Sequence, residues 1–437
     1  MTAEVAVMNK TAIALAADSA VTIRTPYGLK VYNTANKLFT LSKFAPVGVL
    51  VHNAAEINSI PVEILVKEFR ARLAHRRHDT LDAYGDSFMQ FLNEFSGITP
   101  ESRERTFYGL IELALSEIFE RALLLRSETA EPHDLVVLLA EAARELKQMA
   151  EASGTIRDFE SISVERVIEE RKDVLFGVLD DITNIIRQEH DVQDIDDEIR
   201  ARLLCAAVAT VFSRLRMPNH TGIVVAGYGD KEYFPCLVSY EIDGFTPYGL
   251  RAVGPEVSRI LDANKASIHA FAQREMAETF MEGIDAQNRQ FISTSLRQVF
   301  ERVPALVAGA LGFDVTGGGA DVLEDVKKEL QHTLTDFDAR LYEFTRQQFT
   351  APILEAIRYL DKSDLAEMAE SLVSITALKR RVSLNAETVG GPVDVAIVSK
   401  HDGFVWIKRK HYFDIELNRS FMSRYLMSAG TGGVNGA

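Results

Sequence analysis

Two residues near the start of the chain have the types and spacing for acyl-transfer chemistry. Thr2 stands directly behind the initiator methionine, and Asp18 follows sixteen residues later in the run AIALAADSAVT. Aminopeptidases remove a methionine that precedes a small residue, so the mature chain is expected to begin with Thr2. A terminal threonine carries a hydroxyl and a free α-amine together. That pair is a weak nucleophile supplied with its own general base.

These residues must be held by the elements around them, and the first fifty residues read as strands. AEVAVMN and TAIALAAD are short and apolar, and the polar Asn9-Lys10 pair between them predicts a hairpin turn. TIRTPYGLKVYNT follows, with Pro26 and Gly28 marking a turn between extended pieces. KLFTLS and VGVLVHN complete the group. From about Ala54 to Met217 the apolar residues recur at three- and four-residue spacing, as in EILVKEFRARL and DLVVLLAEAARELKQMA, which predicts helices.

Strands return at TGIVVAGYG and FPCLVSYEIDG, the second expected to end at Gly244. A second helical block is expected from about Glu256 to Arg380. Its first part sets Val257, Ile260, Leu261, Ile268, Phe271, Phe280, Ile284, Phe291 and Leu296 near one face, as core or subunit contact. PVDVAIVS and FVWIKRK, joined through His401-Asp402-Gly403, read as a closing hairpin. The expected organisation is one domain over 1–437. Its sheet core comes from 1–56, 221–254 and 385–412, with helical layers and insertions at 57–220 and 255–384. The glycine-rich tail, 428–437, is expected to be flexible.

Composition narrows the function classes. Of 437 residues, 47% are hydrophobic and 25% charged, and the formal net charge is -15. Such a surface disfavours nucleic acid and anionic membranes as partners. The basic cluster of Arg70, Arg72, Arg76 and Arg77 with His75 and His78 reads as a solvated helix end. Cys205 and Cys236 each sit in an apolar stretch and form neither a disulfide framework nor a metal motif. The acidic run from Asp191 to Glu198 matches no calcium loop, and Thr316-Gly317-Gly318-Gly319 lacks the Lys-Ser/Thr pair of a phosphate-binding loop. No secretory signal or membrane span is expected, and the location expected is cytoplasmic. No cofactor and no metal are expected.

The stretch AVMNKTAIALAADSAVT resembles the amino terminus of proteasome β-subunits and of their simpler bacterial relatives, all N-terminal nucleophile (Ntn) hydrolases. In that family the mature chain opens with threonine, passes through a hairpin, and ends its second strand in an Ala-Asp-Ser-like segment. Counted from Thr2, Asp18 falls on the family's acid, and Thr22 on the threonine whose backbone pairs with substrate. Lys37 of NKLFTL matches the family's strand-initial lysine after a short insertion. VHNAAE occupies the place of a Gly-Gly-x-x-acid stretch. GIVVAGYGDKEYFPCLVSYEIDG resembles the family's central strand pair, and VGGPVDVAIVSKHDGFVWI its closing strands. The fold this implies is α+β, a four-layer αββα Ntn-hydrolase sandwich with large α-helical insertions.

The resemblance also implies a mechanism. The Thr2 amine, directly or through water, takes the hydroxyl proton, and the oxygen attacks an amide carbonyl. Lys37 lowers the cost of the alkoxide, and Asp18 holds Lys37 charged. A backbone N–H at His52 faces the oxyanion, a donor typically worth about 2.7–4 kcal/mol. The chain departs from the family in its supporting residues. His52-Asn53 replaces a glycine pair, Pro255 stands where the family has a serine with Ser258 as the nearest hydroxyl, and Glu387 and Thr388 stand near its supporting Asp-x-x-Ser.

The expected function is therefore a threonine hydrolase cutting peptide or amide bonds through a Thr2 acyl-enzyme. A small-molecule amidase or acylase is a second reading, since such folds serve both. A proteasome-like scaffold with weak or no activity is a third. The partners implied are a peptide or protein substrate, further copies of the chain in a homo-oligomer or ring, and an ATP-dependent activator.

Overall fold

The computed structural model describes residues 2–25, 28–128, 134–188, 190, 194–261, 265–311, 320–383, 389–411, 413–414, 416–420 and 423. Strands β1 (Ala3–Asn9), β2 (Ala12–Ala17), β3 (Val21–Thr25), β4 (Gly28–Tyr32), β5 (Leu38–Thr40) and β6 (Val47–Asn53) open the chain. A small ribbon, β7 (Glu56–Ile57) and β8 (Ile60–Pro61), leads into α1 (Val62–Leu73), α2 (Leu81–Asn93) and α3 (Pro100–Glu128). Helices α4 (Leu135–Ser153), α5 (Val164–Glu170), α6 (Lys172–Arg187) and α7 (Asp197–Phe212) follow. Next come β9 (Thr221–Gly227), β10 (Cys236–Thr246), β11 (Gly249–Arg259) and β12 (Ala266–Ala272). The last elements are α8 (Glu275–Glu282), α9 (Ala286–Leu311), α10 (Ala320–Thr345), α11 (Ala351–Ile357), α12 (Lys362–Val382), β13 (Asp394–Ser399) and β14 (Gly403–Lys408). The chain is thus a mixed helix–strand protein whose paired strands run antiparallel.

The chain divides into two compact units. The first comprises Met1–Ala35 and Arg259–Phe413. Its sheet has the order β12-β1-β2-β13-β14, so the amino-terminal hairpin is central and strands from distant segments flank it. β1 and β2 are buried on both faces, which is why they read as continuous apolar runs rather than alternating ones. One face carries Ala3, Val5, Val7, Ala12, Ala14 and Ala16, which pack with Leu365, Ala369, Leu372 and Val373 of α12. The alanines leave room for the helix to lie close. Asp361 caps α12 by accepting from the Ser363 and Asp364 N–H groups, and Lys379, Arg380 and Arg381 fill its last turn, where cations are favoured.

The second unit comprises Asn36–Ser258 and Asp414–Ala437. Its sheet has the order β11-β10-β9-β6-β5. Phe69 of α1 and Phe88 and Phe91 of α2 join Val49, Val51, Val225 and Val238 of the sheet in one apolar cluster. A second cluster lies among α3, α4, α6 and α7. Asp196, within the acidic connection, caps α7 by accepting from the Ile199 N–H. Cys236 is buried and Cys205 partly exposed, both as free thiols.

Three expected boundaries are corrected. β10 runs through Gly244 instead of ending there. At that glycine φ is 139°, and a Cβ would lie 2.7 Å from Asn58 Oδ1, which accepts the Phe245 N–H. The glycine permits a close approach and does not stop the strand. The second helical block begins at Glu275, not Glu256, because β11 and β12 occupy Gly249–Arg259 and Ala266–Ala272. Ile268 and Phe271 therefore lie on a strand; Ala266, Ile268 and Ala270 alternate onto the face that packs with α12, and the period of two prevails. The helices of the first block likewise start at Val62, after the small ribbon. Thr316–Gly319 and the tail 428–437 lie outside the described residues.

Candidate active site around Thr2

Thr2 enters β1 with its side chain on the face away from α12, because Ala3, Val5 and Val7 take the α12 side. Its hydroxyl donates to Glu4 Oε2 at 3.0 Å, and both residues are buried, each with 1% exposure. Residues two apart on a strand share a face, so this contact follows from strand geometry. The Thr2 carbonyl accepts the Gln273 N–H at 3.2 Å, and Gln273 Oε1 in turn accepts from Arg380 Nε at 2.6 Å. The residue that leads into β1 is thereby tied to the end of β12 and to α12.

Asp18 closes this arrangement from β2. Its Oδ1 accepts the Ala3 N–H at 3.2 Å, and its Oδ2 accepts the Ala20 N–H at 3.3 Å and the Gly390 N–H at 3.0 Å. The Asp18 N–H donates to the Ala3 carbonyl at 3.1 Å. One buried carboxylate therefore fixes the amide next to Thr2, the chain leaving β2, and the segment leading into β13. Gly391 has φ of 76°, and a Cβ there would meet Asn33 at 2.9 Å and Ser19 at 3.2 Å. A side chain at that position would push this segment off Asp18.

Lys37 belongs to the second unit, directly before β5, and is among its largest fully buried side chains. Its carbonyl accepts the Val51 N–H at 2.8 Å. The Ala54 N–H donates to the His220 carbonyl beyond β9. The alternation along β6 therefore directs the His52 N–H toward β9, opposite Gly222, and the Asn53 N–H toward the β5 edge. The His52 ring is buried edge-on to His220, with centroids 6.1 Å apart, and lies over Gly222. His220 Nε2 lies 2.7 Å from Asn53 Nδ2.

Ser258 is partly buried near the end of β11, in the second unit. Thr22 lies on β3, paired with Val31 of β4. Among the described residues β3 has only β4 as a neighbour, which leaves its other edge without a partner strand. Glu387 and Thr388 lie outside the described residues. The first unit thus brings Thr2 and Asp18 together and adds Glu4, which the sequence reading missed. Its signal was present: a single charge inside AEVAVMN, a run otherwise fit for burial on both faces.

Among the described residues no group of three or more His, Cys, Asp or Glu side chains could hold a metal ion. No helix among them is long and apolar enough to cross a membrane. No family model matches the chain, and no curated protein matches it.

Proposed function

We propose that the chain is a proteasome-like N-terminal threonine hydrolase that cleaves peptide or amide bonds through a Thr2 acyl-enzyme once Met1 is removed. The observation that carries this reading is the setting of Thr2. It is a buried hydroxyl directly before the first strand of a central hairpin, hydrogen-bonded to a carboxylate, and its following amide is held by Asp18. The two five-stranded sheets, each with helices on a face, are the parts from which a four-layer αββα sandwich is built. The edge of β3 that has no partner strand among the described residues suits an extended peptide, which would add as a strand at Thr22.

Lys37 takes the part of the cation that stabilises the developing alkoxide, a role that rests on the sequence resemblance. Its burial is in keeping with that role, because a lysine is rarely fully buried unless its charge has a use. Oligomerisation into a ring, and feeding by an ATP-dependent activator, follow from the same resemblance.

The test begins with the intact mass of the purified chain. Loss of Met1 is expected, and a retained methionine would end the proposal, since it blocks the amine. An epoxyketone that needs both the hydroxyl and the amine should then label the wild-type protein and not Thr2→Ala. Equal labelling of both would place the nucleophile elsewhere.

A further inference from the structure

Thr2 has a proton acceptor that N-terminal threonine chemistry does not require. Glu4 Oε2 accepts the Thr2 hydroxyl hydrogen at 3.0 Å, and the two side chains share the face of β1 turned from α12. Resting on the reading of Thr2 as nucleophile, we infer that Glu4 is the catalytic base that takes the Thr2 hydroxyl proton and returns it to the leaving group.

Three observations support this assignment. Glu4 lies within direct reach of the reacting atom, with no intervening group. A carboxylate buried near the start of an otherwise apolar strand is costly to the fold, so its presence beside a nucleophile points to a task. The other carboxylate of this unit's site, Asp18, has both oxygens engaged by the Ala3, Ala20 and Gly390 N–H groups. It is a clamp on backbone amides, whereas the Glu4 carboxylate accepts directly from the Thr2 hydroxyl.

The step balances without a co-reactant. The O–H bond of Thr2 breaks, its proton goes to Glu4, and Oγ1 bonds to the carbonyl carbon while the π pair moves to oxygen. On collapse the C–N bond breaks, and the departing nitrogen takes the proton from Glu4. Water then loses a proton to Glu4 and attacks the ester. Release of the acid returns that proton to Thr2. The α-amine is left to bind or orient the substrate.

Glu4→Gln separates a base from a positioning group. The glutamine carbonyl can still accept the hydroxyl hydrogen bond, so a positioning role survives, but it cannot take up a proton. The measurement is the rate of Thr2 acylation by a β-lactone, read by intact mass and peptide mapping, with folding checked by Trp406 fluorescence. Slowing of about 100-fold or more is expected, the lower end of what a positioned general base supplies. Equal rates in wild type and Glu4→Gln would overturn the inference and leave Thr2 as the nucleophile. A wild-type chain that is not acylated at Thr2 would instead overturn the reading on which the inference rests. Glu4→Asp, which withdraws the carboxylate by one methylene, should also react more slowly. A rate at or above wild type in that variant would remove Glu4 from the mechanism even where Glu4→Gln fails to fold.

Discussion

Asp18→Ala removes the acceptor of three backbone hydrogen bonds. The Ala3, Ala20 and Gly390 N–H groups lose their acceptor at 3.2, 3.3 and 3.0 Å. A buried donor left without a partner costs about 1–3 kcal/mol, so a simple sum runs from about 3 to 9 kcal/mol. Two of the three bonds are long, and the void left by the carboxylate admits water, so the low end applies. The expected loss is about 3–5 kcal/mol. Asp18→Asn is a finer probe. Its single carbonyl oxygen can serve Ala20 and Gly390 together, which turns the amide nitrogen toward the Ala3 N–H. The expected loss is then about 1–3 kcal/mol, the cost of one donor, and it falls on the amide next to Thr2.

Trp406, the only tryptophan of the chain, lies on β14 in the same sheet. Urea unfolding followed by its fluorescence therefore reads this unit. An Asp18→Ala variant within about 0.5 kcal/mol of wild type, the range of an ordinary surface substitution, would refute the clamp. The Asn variant should also acylate more slowly at Thr2 under conditions where it is fully folded, because the strand that presents Thr2 has lost its tether.

Burial, with the Arg274 charge second, holds His269 on β12 below its usual range. The unfolded chain then binds the proton more readily, so this contribution to stability is present above pH ~6.5 and is lost as pH falls below it; His269→Gln should flatten the urea midpoint between about pH 5 and 7, and an unchanged slope would assign it to other groups. Arg251 is fully buried, pairs with Asp243, and donates to the Thr210, Val211, Ser213 and Leu215 carbonyls at the end of α7. Burial raises the Asp243 carboxyl, with Arg251 acting against that shift, so Arg251→Leu should cost about 3–5 kcal/mol by far-ultraviolet circular dichroism; a loss below about 1 kcal/mol would mean the carbonyls find other donors. A Cβ at position 222 would lie 1.9 Å from His52 Nε2, so Gly222→Ala should cost about 1–3 kcal/mol, with part recovered by adding His52→Ala; strictly additive effects in that cycle would show that the ring swings aside freely.

The hairpin that carries the site was legible because local arithmetic governs it. In an antiparallel pair the register set by the turn fixes which residue returns beside which. Glu4 pairs with Ala17, and the next step brings Asp18 back to Ala3. The sixteen-residue spacing from Thr2 to Asp18 is that geometry written along the chain. β12 was not legible, because ASIHAFA satisfies a helical and a strand period together over so short a run. Its pairing to β1 is decided by a partner about 260 residues away. The Gly390 N–H on Asp18 is non-local for the same reason, across 372 residues. Gly244 misled in a different way. Its absence of a side chain answers to Asn58 and Thr106, which approach from another part of the chain.

The two carboxylates beside Thr2 show how one short hairpin can assign opposite tasks to the same chemical group. Asp18 sits where three backbone N–H groups converge, and each bond it accepts fixes the carboxylate that holds the strand. Glu4 is placed by the strand's alternation on the face of Thr2, whose hydroxyl donates to it. Exchange of the two environments would leave Thr2 without a tether at Ala3 and would put a fully engaged acceptor beside its hydroxyl. The spacing from Thr2 singled out Asp18 in the sequence, whereas the contact of Glu4 with the Thr2 hydroxyl had to be found in the folded strand. The double variant Asp18→Asn, Glu4→Gln makes the division measurable. If Asp18 acts on stability and Glu4 on proton transfer, the unfolding free energy of the double variant should match that of Asp18→Asn alone to within about 0.5 kcal/mol. Its acylation rate should fall at least as far as that of Glu4→Gln. A Glu4→Gln penalty on stability as large as that of Asp18→Asn would make both carboxylates clamps and leave the proton to the α-amine.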